Sequence, residues 1–544
     1  MKSAMTDRAS RPERRSFDLL PIARACSSVV EQFATPLYVT VVLAFLTVFV
    51  AAAWFLTVET DEAWMLLSTM NAFRIPLPQT NALESPVLTS GGLHLLLHGA
   101  LARMTSSIFL HRLISILCTV LLLATVFRTL RRMGRPTPLA WAGTALFAAT
   151  PGFIFQASMA TAEIIATLLV VLACLHWLRR GQFSNTQALV GGLLFGLSCA
   201  TRVNCAIALP AIVICAAFSV ADRRKRVLRA ILTSSVAVLI LALAIAGYFV
   251  AARTGNGQQA QHFFMASASG SRTISQLMWS FVIGDRIMPI WLIAVVGGAY
   301  LISITEGTDT AVDLPPTQLS ALLLLIGLAG FAAWILKAPI PHVRYLWPAV
   351  PCLWLAGIIA LTQPAIAQQQ GYRALAIHLF ILTVCGSRII ADSIVVANGE
   401  SLTLVYQTIG MAPFQAAHRP LHAASDQRAL SHFVASQSGD AHFYALIPAS
   451  AYPITFLSRR TIAPVESMGT TGVRFLILNP VDAAVWHPDS AFVQWMRAST
   501  TLAFVSGNFA AMQVKEGAVP PPPPGMIRTG DNDLVPETKA VDSR

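Results

Sequence analysis

The sequence predicts an α-helical polytopic membrane protein of about eleven spans, with external juxtamembrane helices and a small C-terminal α/β domain. Three observations carry this expectation. Only 12% of the 544 residues are charged and 55% are hydrophobic, against about 25% charged in soluble domains. The apolar runs are ~15 to 25 residues long and lack the alternation of barrel strands, so they read as helices, whose backbone groups pair internally. The basic residues cluster at intervals, at Arg11/Arg14/Arg15/Arg24, Arg128/Arg131/Arg132/Arg135, Arg179/Arg180 and Arg223/Arg224/Lys225/Arg226/Arg229. By the positive-inside rule these segments face the cytoplasm. The net charge of +12 therefore reports membrane orientation, with membrane lipids and no nucleic acid among the expected partners.

Residues 1–35 are a polar, basic tail expected in the cytoplasm. No A-x-A-like site follows the first long apolar run, which reads as an uncleaved first helix. Spans are expected near 36–58, 110–128, 138–157, 160–178, 187–201, 204–220, 228–250, 287–304, 317–336, 345–362 and 374–395. With the N-terminus inside, this order puts every basic cluster on the cytoplasmic side and leaves 59–109, 252–286 and 337–344 outside. The run 187–220 is too long for one span of ~20 residues, and its polar break, "ATRVN", divides it into two short helices with an external tip. The segment 88–103, "LTSGGLHLLLHGALAR", reads as an amphipathic or re-entrant external helix, because a full span there would place the RRMGR cluster outside.

The membrane domain is thus 36–395, with 59–109 as its first external loop. From 396 to 517 helical patterns alternate with strand-like runs at 442–448, 473–479 and 500–506, the signature of an external, periplasmic α/β domain. The Pro-rich, then polar tail 518–544 is expected to be disordered.

Acids are scarce, yet Glu59, Asp61 and Glu62 stand together in "VETDEAWMLLSTMNAFR", at the lip of the first span. Two readings stand. Thr60 or Asp61 suits a helix N-cap, and acids suit a first helical turn. Alternatively, a carboxylate at the membrane–water boundary accepts a proton from a hydroxyl or holds a cation. Glu163 opens another span on the same external face, behind Thr161 as a plausible cap. Arg202 and Arg344 lie on that face against the charge bias, either snorkelling to headgroups or gripping a phosphate. Glu84, before Pro86, is a further external acid that a loop alone also explains. His94 and His98 share a helix face in "HLLLH" but lack the Glu of a zinc-protease motif, and read as an interfacial polar stripe. The glycines of "GGLLFGLSCA" suit helix packing. The eight cysteines show no CxxC or zinc spacing and read as small apolar packing residues.

The order of these features resembles a known family. "SPVLTSGGLHLLL" resembles a PPL-plus-apolar element. "FLHRLISILCTVLLLATVFRTLRRMG" resembles an R-L-x-S-x-L…R-R-x-G helix. "LFAATPGFIFQASMATAEIIATLLVVLACLHWL" resembles a segment bearing a second acid. "GLLFGLSCATRVNCAIALP" resembles a G-L-x-x-G-L-x-x-x-T-[KR] element, and "HVRYLWPAVPCLWLAG" an R-Y-x-x-P-x-x-P element. Over roughly 36–365 the chain is similar to GT-C glycosyltransferases of the protein O-mannosyltransferase and lipid A aminoarabinose transferase type.

That resemblance implies an inverting transferase that takes a sugar, hexosyl or pentosyl, from a polyprenyl-phosphate donor to a lipid, glycan or protein acceptor on the periplasmic face of the inner membrane. It implies Asp61 as general base with Glu62 beside it, Glu163 as the second acid, Arg202 as a phosphate contact, and Arg344 and Tyr345 near the donor. Glu84 joins them as a candidate substrate contact. The family's second acid is usually Asp preceded by Arg; here it is Glu. No cofactor or metal ligand is assigned, and a divalent cation stays open. A lipid-linked sugar already carries a good leaving group, so one carboxylate suffices, unlike glycoside hydrolysis. The alternative is a transporter or flippase of lipid-linked sugars without transferase activity, which predicts ionisable residues facing each other in mid-span. A non-catalytic scaffold is the third reading.

Overall fold

The computed structural model describes residues 20–58, 60–72, 92–105, 107–178, 185–218, 223–253, 296, 316–337, 347–362, 371–398, 423–446, 451–478, 491–507, 509–521, 526–529 and 533–536. Thirteen helices precede the C-terminal unit among these residues: α1 Leu20–Phe55, α2 Thr60–Ala72, α3 Gly92–Ala102, α4 Ile108–Arg132, α5 Thr137–Ala148, α6 Phe153–Ser158, α7 Glu163–Leu178, α8 Asn185–Thr201, α9 Leu209–Phe218, α10 Arg223–Arg253, α11 Pro316–Lys337, α12 Ala349–Leu361 and α13 Gly371–Asn398.

Four stretches within these helices are long and apolar enough to cross a membrane: Gln32–Phe55, Ile108–Arg132, Val227–Ala244 and Leu375–Ala397. Their outward side chains, among them Leu43, Leu117, Leu239 and Ile390, are more than half exposed, as a lipid-facing surface requires. By contrast α12 is buried along its whole length, which is the place for a helix that is apolar all round. This is the architecture of a multi-pass membrane protein.

Polar contacts join the spans at few points. Trp354 Nε1 on α12 donates to the Leu146 carbonyl of α5 at 2.6 Å. Tyr38 of α1 and His378 of α13 meet at 2.8 Å. Asp392, a buried acid late in α13, pairs with Arg388 one turn earlier on the same helix at 3.0 Å. The glycines of α8 bring it against α10. A Cβ on Gly192 would stand 2.8 Å from the Thr233 carbonyl oxygen, and the Thr233 hydroxyl reaches the Ala188 carbonyl at 3.4 Å, the close approach that small residues permit in membrane interfaces. Gly192→Leu is therefore expected to lower stability by about 1–3 kcal/mol through overpacking, read as a lower Tm in detergent; an unchanged Tm would contradict the contact.

Three expectations need correction. Helix α1 begins at Leu20, so the tail assigned to 1–35 is helical over its last part. The single span expected at 138–157 is two helices, α5 and α6, because Gly152 takes a left-handed φ of 72° between them. The tail is also not wholly irregular: β6 Met526–Thr529 pairs antiparallel with β7 Asp533–Pro536. The span expected at 287–304 lies outside the described residues, apart from helical Val296.

The C-terminal unit contains α14 Ala423–Ser436, β1 His442–Ala445, α15 Tyr452–Ser458, β2 Ile462–Pro464, β3 Arg474–Leu478, α16 Ala491–Ser499, β4 Thr500–Ser506 and β5 Phe509–Val514. Its five-stranded sheet has the order β2-β1-β3-β5-β4. β1 runs parallel to β2 and β3, and β5 antiparallel to β3 and β4. Alternation divides the side chains between faces. Phe443, Ala445, Phe475 and Ile477 pack with Leu430 and Val434 of α14, while Tyr444 and Leu476 pack with Phe492 of α16. The three sequence-predicted strands are β1, β3 and β4; β2 and β5 are additional.

Candidate active site

The site is built around the short connection from α1 to α2. Arg112, near the start of α4 and 1% exposed, closes one side of it. Its Nη1 donates to the carbonyls of Ala53 and Leu56 at 3.0 and 2.9 Å, and its Nη2 to that of Thr57 at 2.8 Å. These are the carbonyls that the end of α1 leaves without helical partners. The same guanidinium grips Glu62 with both prongs, Nε to Oε1 at 2.9 Å and Nη2 to Oε2 at 2.7 Å. Glu62 is fully buried, and its Oε1 also accepts the Ala160 N–H at 2.7 Å. A bidentate pair with this many charge-assisted bonds holds α2 at a set orientation on α1 and α4.

The turn before α7 is the meeting point. Ser115 of α4 donates to the Met159 carbonyl at 2.6 Å, and His94 Nε2 of α3 donates to the Ala160 carbonyl at 3.2 Å. Three residues later Glu163 opens α7 and pairs with Arg202 at 2.9 Å, both side chains at most 4% exposed. The Glu163 Oε2 atom is buried with no hydrogen-bond partner among the described residues. Thr201, beside Arg202, accepts the Leu93 N–H at 3.2 Å, tying the end of α8 to the start of α3. The Thr161 hydroxyl donates to the Gln156 side chain at 3.2 Å.

Of the sequence candidates, Glu62, Glu163 and Arg202 thus converge on residues 160–163, and Asp61 lies in the first turn of α2, next to Glu62. Glu84, Arg344 and Tyr345 lie outside the described residues. Arg112 was legible only in part: it belongs to the R-L-x-S element, and it lies near the end of a span that the charge bias predicts to be external, as it does for Arg202 and Arg344.

The histidines correct an expectation. His94 and His98 are fully buried, not an interfacial stripe. Their rings lie 4.2 Å apart, and His98 Nδ1 meets His111 Nδ1 of α4 at 3.1 Å. Leu96 on the opposite side of α3 is 59% exposed. A polar inner face with an apolar outer face suits a short helix bordering lipid. Among the described residues no group of three His, Cys, Asp or Glu side chains has the geometry to hold a metal ion.

The C-terminal unit packs against α2 and the residues before it. Phe456 of α15 is fully buried among Leu66, Leu67 and Met70 of α2 and Ala160. Arg459 ends α15 with a left-handed φ of 59°, stacks over Phe456 at 5.0 Å and brings Nη1 to 2.7 Å from Met70 Sδ. Burial at this junction pushes the Tyr452 phenol above, and pulls the Arg459 guanidinium below, their ordinary ranges. Gln427 of α14 meets Val58 twice, accepting its N–H at 2.8 Å and donating to its carbonyl at 3.1 Å.

The helical order, the acid-bearing helix α2 and the appended α/β unit together define a multi-pass membrane fold with a C-terminal α/β unit packed on it. Residues 94–248 match the family model described as dolichyl-phosphate-mannose-protein mannosyltransferase. Among solved structures, the chain is similar to ArnT from Cupriavidus metallidurans bound to undecaprenyl phosphate, with a TM-score of 0.57 and 13% identity over 88% of this chain and 98% of that one. The same protein in its apo state gives 0.55 and 14% over 90% and 98%. Comparison with curated proteins gives no match.

Proposed function

We propose that the protein is a glycosyltransferase that moves a sugar from a polyprenyl-phosphate donor to a lipid, glycan or protein acceptor, with inversion, at the periplasmic face of the inner membrane. The observation that carries this reading is the convergence of two buried ion pairs, Glu62–Arg112 and Glu163–Arg202, on residues 160–163 beside the turn that bears Asp61. The fold shared with a protein crystallised with undecaprenyl phosphate supports the donor class.

In the proposed step, Asp61 takes the proton of the acceptor hydroxyl. The acceptor oxygen bonds to the anomeric carbon as the bond from that carbon to the phosphate oxygen breaks. The polyprenyl phosphate leaves with the electron pair, and its charge is stabilised by guanidinium groups. Arg202 supplies one, held in place by Glu163, with Arg344 and Tyr345 as further donor contacts and Glu84 as a substrate contact. Glu62, with both oxygens engaged, orients Asp61 and is not the proton acceptor. The membrane domain is 36–395 and the external unit 396–517, with the N-terminus in the cytoplasm.

A direct test uses the purified full-length chain in lipid nanodiscs with a polyprenyl-phosphate-linked sugar as donor, in the presence and absence of a lipid extract of its source membrane as acceptor. Undecaprenyl phosphate is expected to accumulate, by mass spectrometry, only when acceptor is present. Release that is absent, or independent of acceptor, would overturn the reading. Comparing the glycolipids and glycoproteins of a deletion strain with its parent names the sugar and acceptor.

A further inference from the structure

We propose that Gln427 is a positioning residue for the transfer reaction, and that the C-terminal α/β unit is thereby a working part of the catalytic site; this rests on the assignment of Asp61 as base. Leu56, Thr57 and Val58, which follow α1, are buried, so their backbone groups need partners within the protein. Arg112 takes the carbonyls of Leu56 and Thr57. The next residue, Val58, is 6% exposed, and both its N–H and its carbonyl are taken by the one side-chain amide of Gln427, itself 5% exposed and 369 residues away. A primary amide offers a donor and an acceptor side by side, as a neighbouring strand would. Val58 lies three positions before Asp61 in the chain.

The second end of α2 is held by the same unit. Arg459 reaches Met70, and Phe456 fills the space between Leu66, Leu67 and Ala160. Gripped at Val58 and at Met70, the 13-residue helix α2 has its roll and tilt set by the C-terminal unit as well as by the Glu62–Arg112 pair. Arg459 adopts a left-handed conformation unusual for a side-chain-bearing residue, at the point where it meets α2. A carboxylate displaced by about 1 Å costs on the order of 100-fold in rate, so a grip on the base-bearing turn acts on turnover more than on donor affinity.

The test compares full-length wild type, Gln427→Ala and Gln427→Glu in nanodiscs with the source-membrane lipid extract. Gln427→Ala is expected to lower kcat on the order of 10- to 100-fold, with the Kd for undecaprenyl phosphate within about twofold of wild type. Hydrogen exchange over residues 56–60 is expected to rise while that of α4 does not. A protonated carboxyl carries the same donor and acceptor pair as the amide, so the rate of Gln427→Glu relative to wild type is expected to rise as pH falls. Wild-type kcat in Gln427→Ala overturns the proposal, as does a Gln427→Glu ratio flat with pH, which also decides the case if Gln427→Ala does not fold. If wild type releases no undecaprenyl phosphate, the transferase reading fails instead; unchanged exchange over 56–60 would still overturn the grip on its own.

Discussion

Asp61→Asn is expected to lower the rate of sugar transfer by ~10²–10⁴-fold, the contribution of a positioned general base, while the protein purifies with an unchanged melting profile. Asparagine keeps the size of the side chain and its ability to cap the first turn of α2, so a helix-start role predicts near-normal activity from this variant. The two readings of the opening acids are thereby separated by one rate measurement. The position has a reason in the fold. Helix α2 starts directly beyond the end of α1, and the neighbouring acid, Glu62, is consumed by Arg112 and the Ala160 N–H. Full transfer by Asp61→Asn would remove the base assignment and leave Asp61 as a helix-start residue.

Arg112→Ala is expected to destabilise the protein by about 3–5 kcal/mol, because it leaves an uncompensated charge at a fully buried Glu62. It also strips three carbonyls at the end of α1 of their donors. The measurement is thermal unfolding in detergent, with yield from the membrane as a second index. Replacing both partners, as Glu62→Leu with Arg112→Met, is expected to recover much of the lost stability, since the cost of a broken buried pair lies largely in the orphaned charge. Activity should not return with it, because α2 would be packed but no longer oriented by directional bonds. An Arg112→Ala variant as stable as wild type would show that the pair does not hold α2 in place.

The difference between what was readable in the chain and what was not follows one physical division. Long apolar runs could be located from their own residues, since the cost of placing polar groups in hydrocarbon is exacted locally; among the described residues four such stretches are long and apolar enough to cross. Two places were misjudged: α1 extends back to Leu20, ahead of its apolar run, and the break at Gly152 depends on a left-handed φ at one residue, which hydropathy does not report. The histidines of α3 were assigned to the wrong environment for a related reason. The amphipathic pattern was read as if water lay outside, but Leu96 faces outward and the imidazoles inward.

The sequence by itself determined a helical multi-pass membrane protein, and it named a short set of acids and arginines that the charge bias groups as an expected external cluster. Only the tertiary structure decided which of them pair: Glu62 with Arg112, 50 residues on, Glu163 with Arg202, and Val58 with Gln427, 369 residues on. Hydrophobic length is a sum over neighbouring residues and is written along the chain. A buried ion pair or a backbone clamp is a distance between remote groups, and it exists only once the helices have packed and excluded the solvent that would otherwise satisfy each group alone.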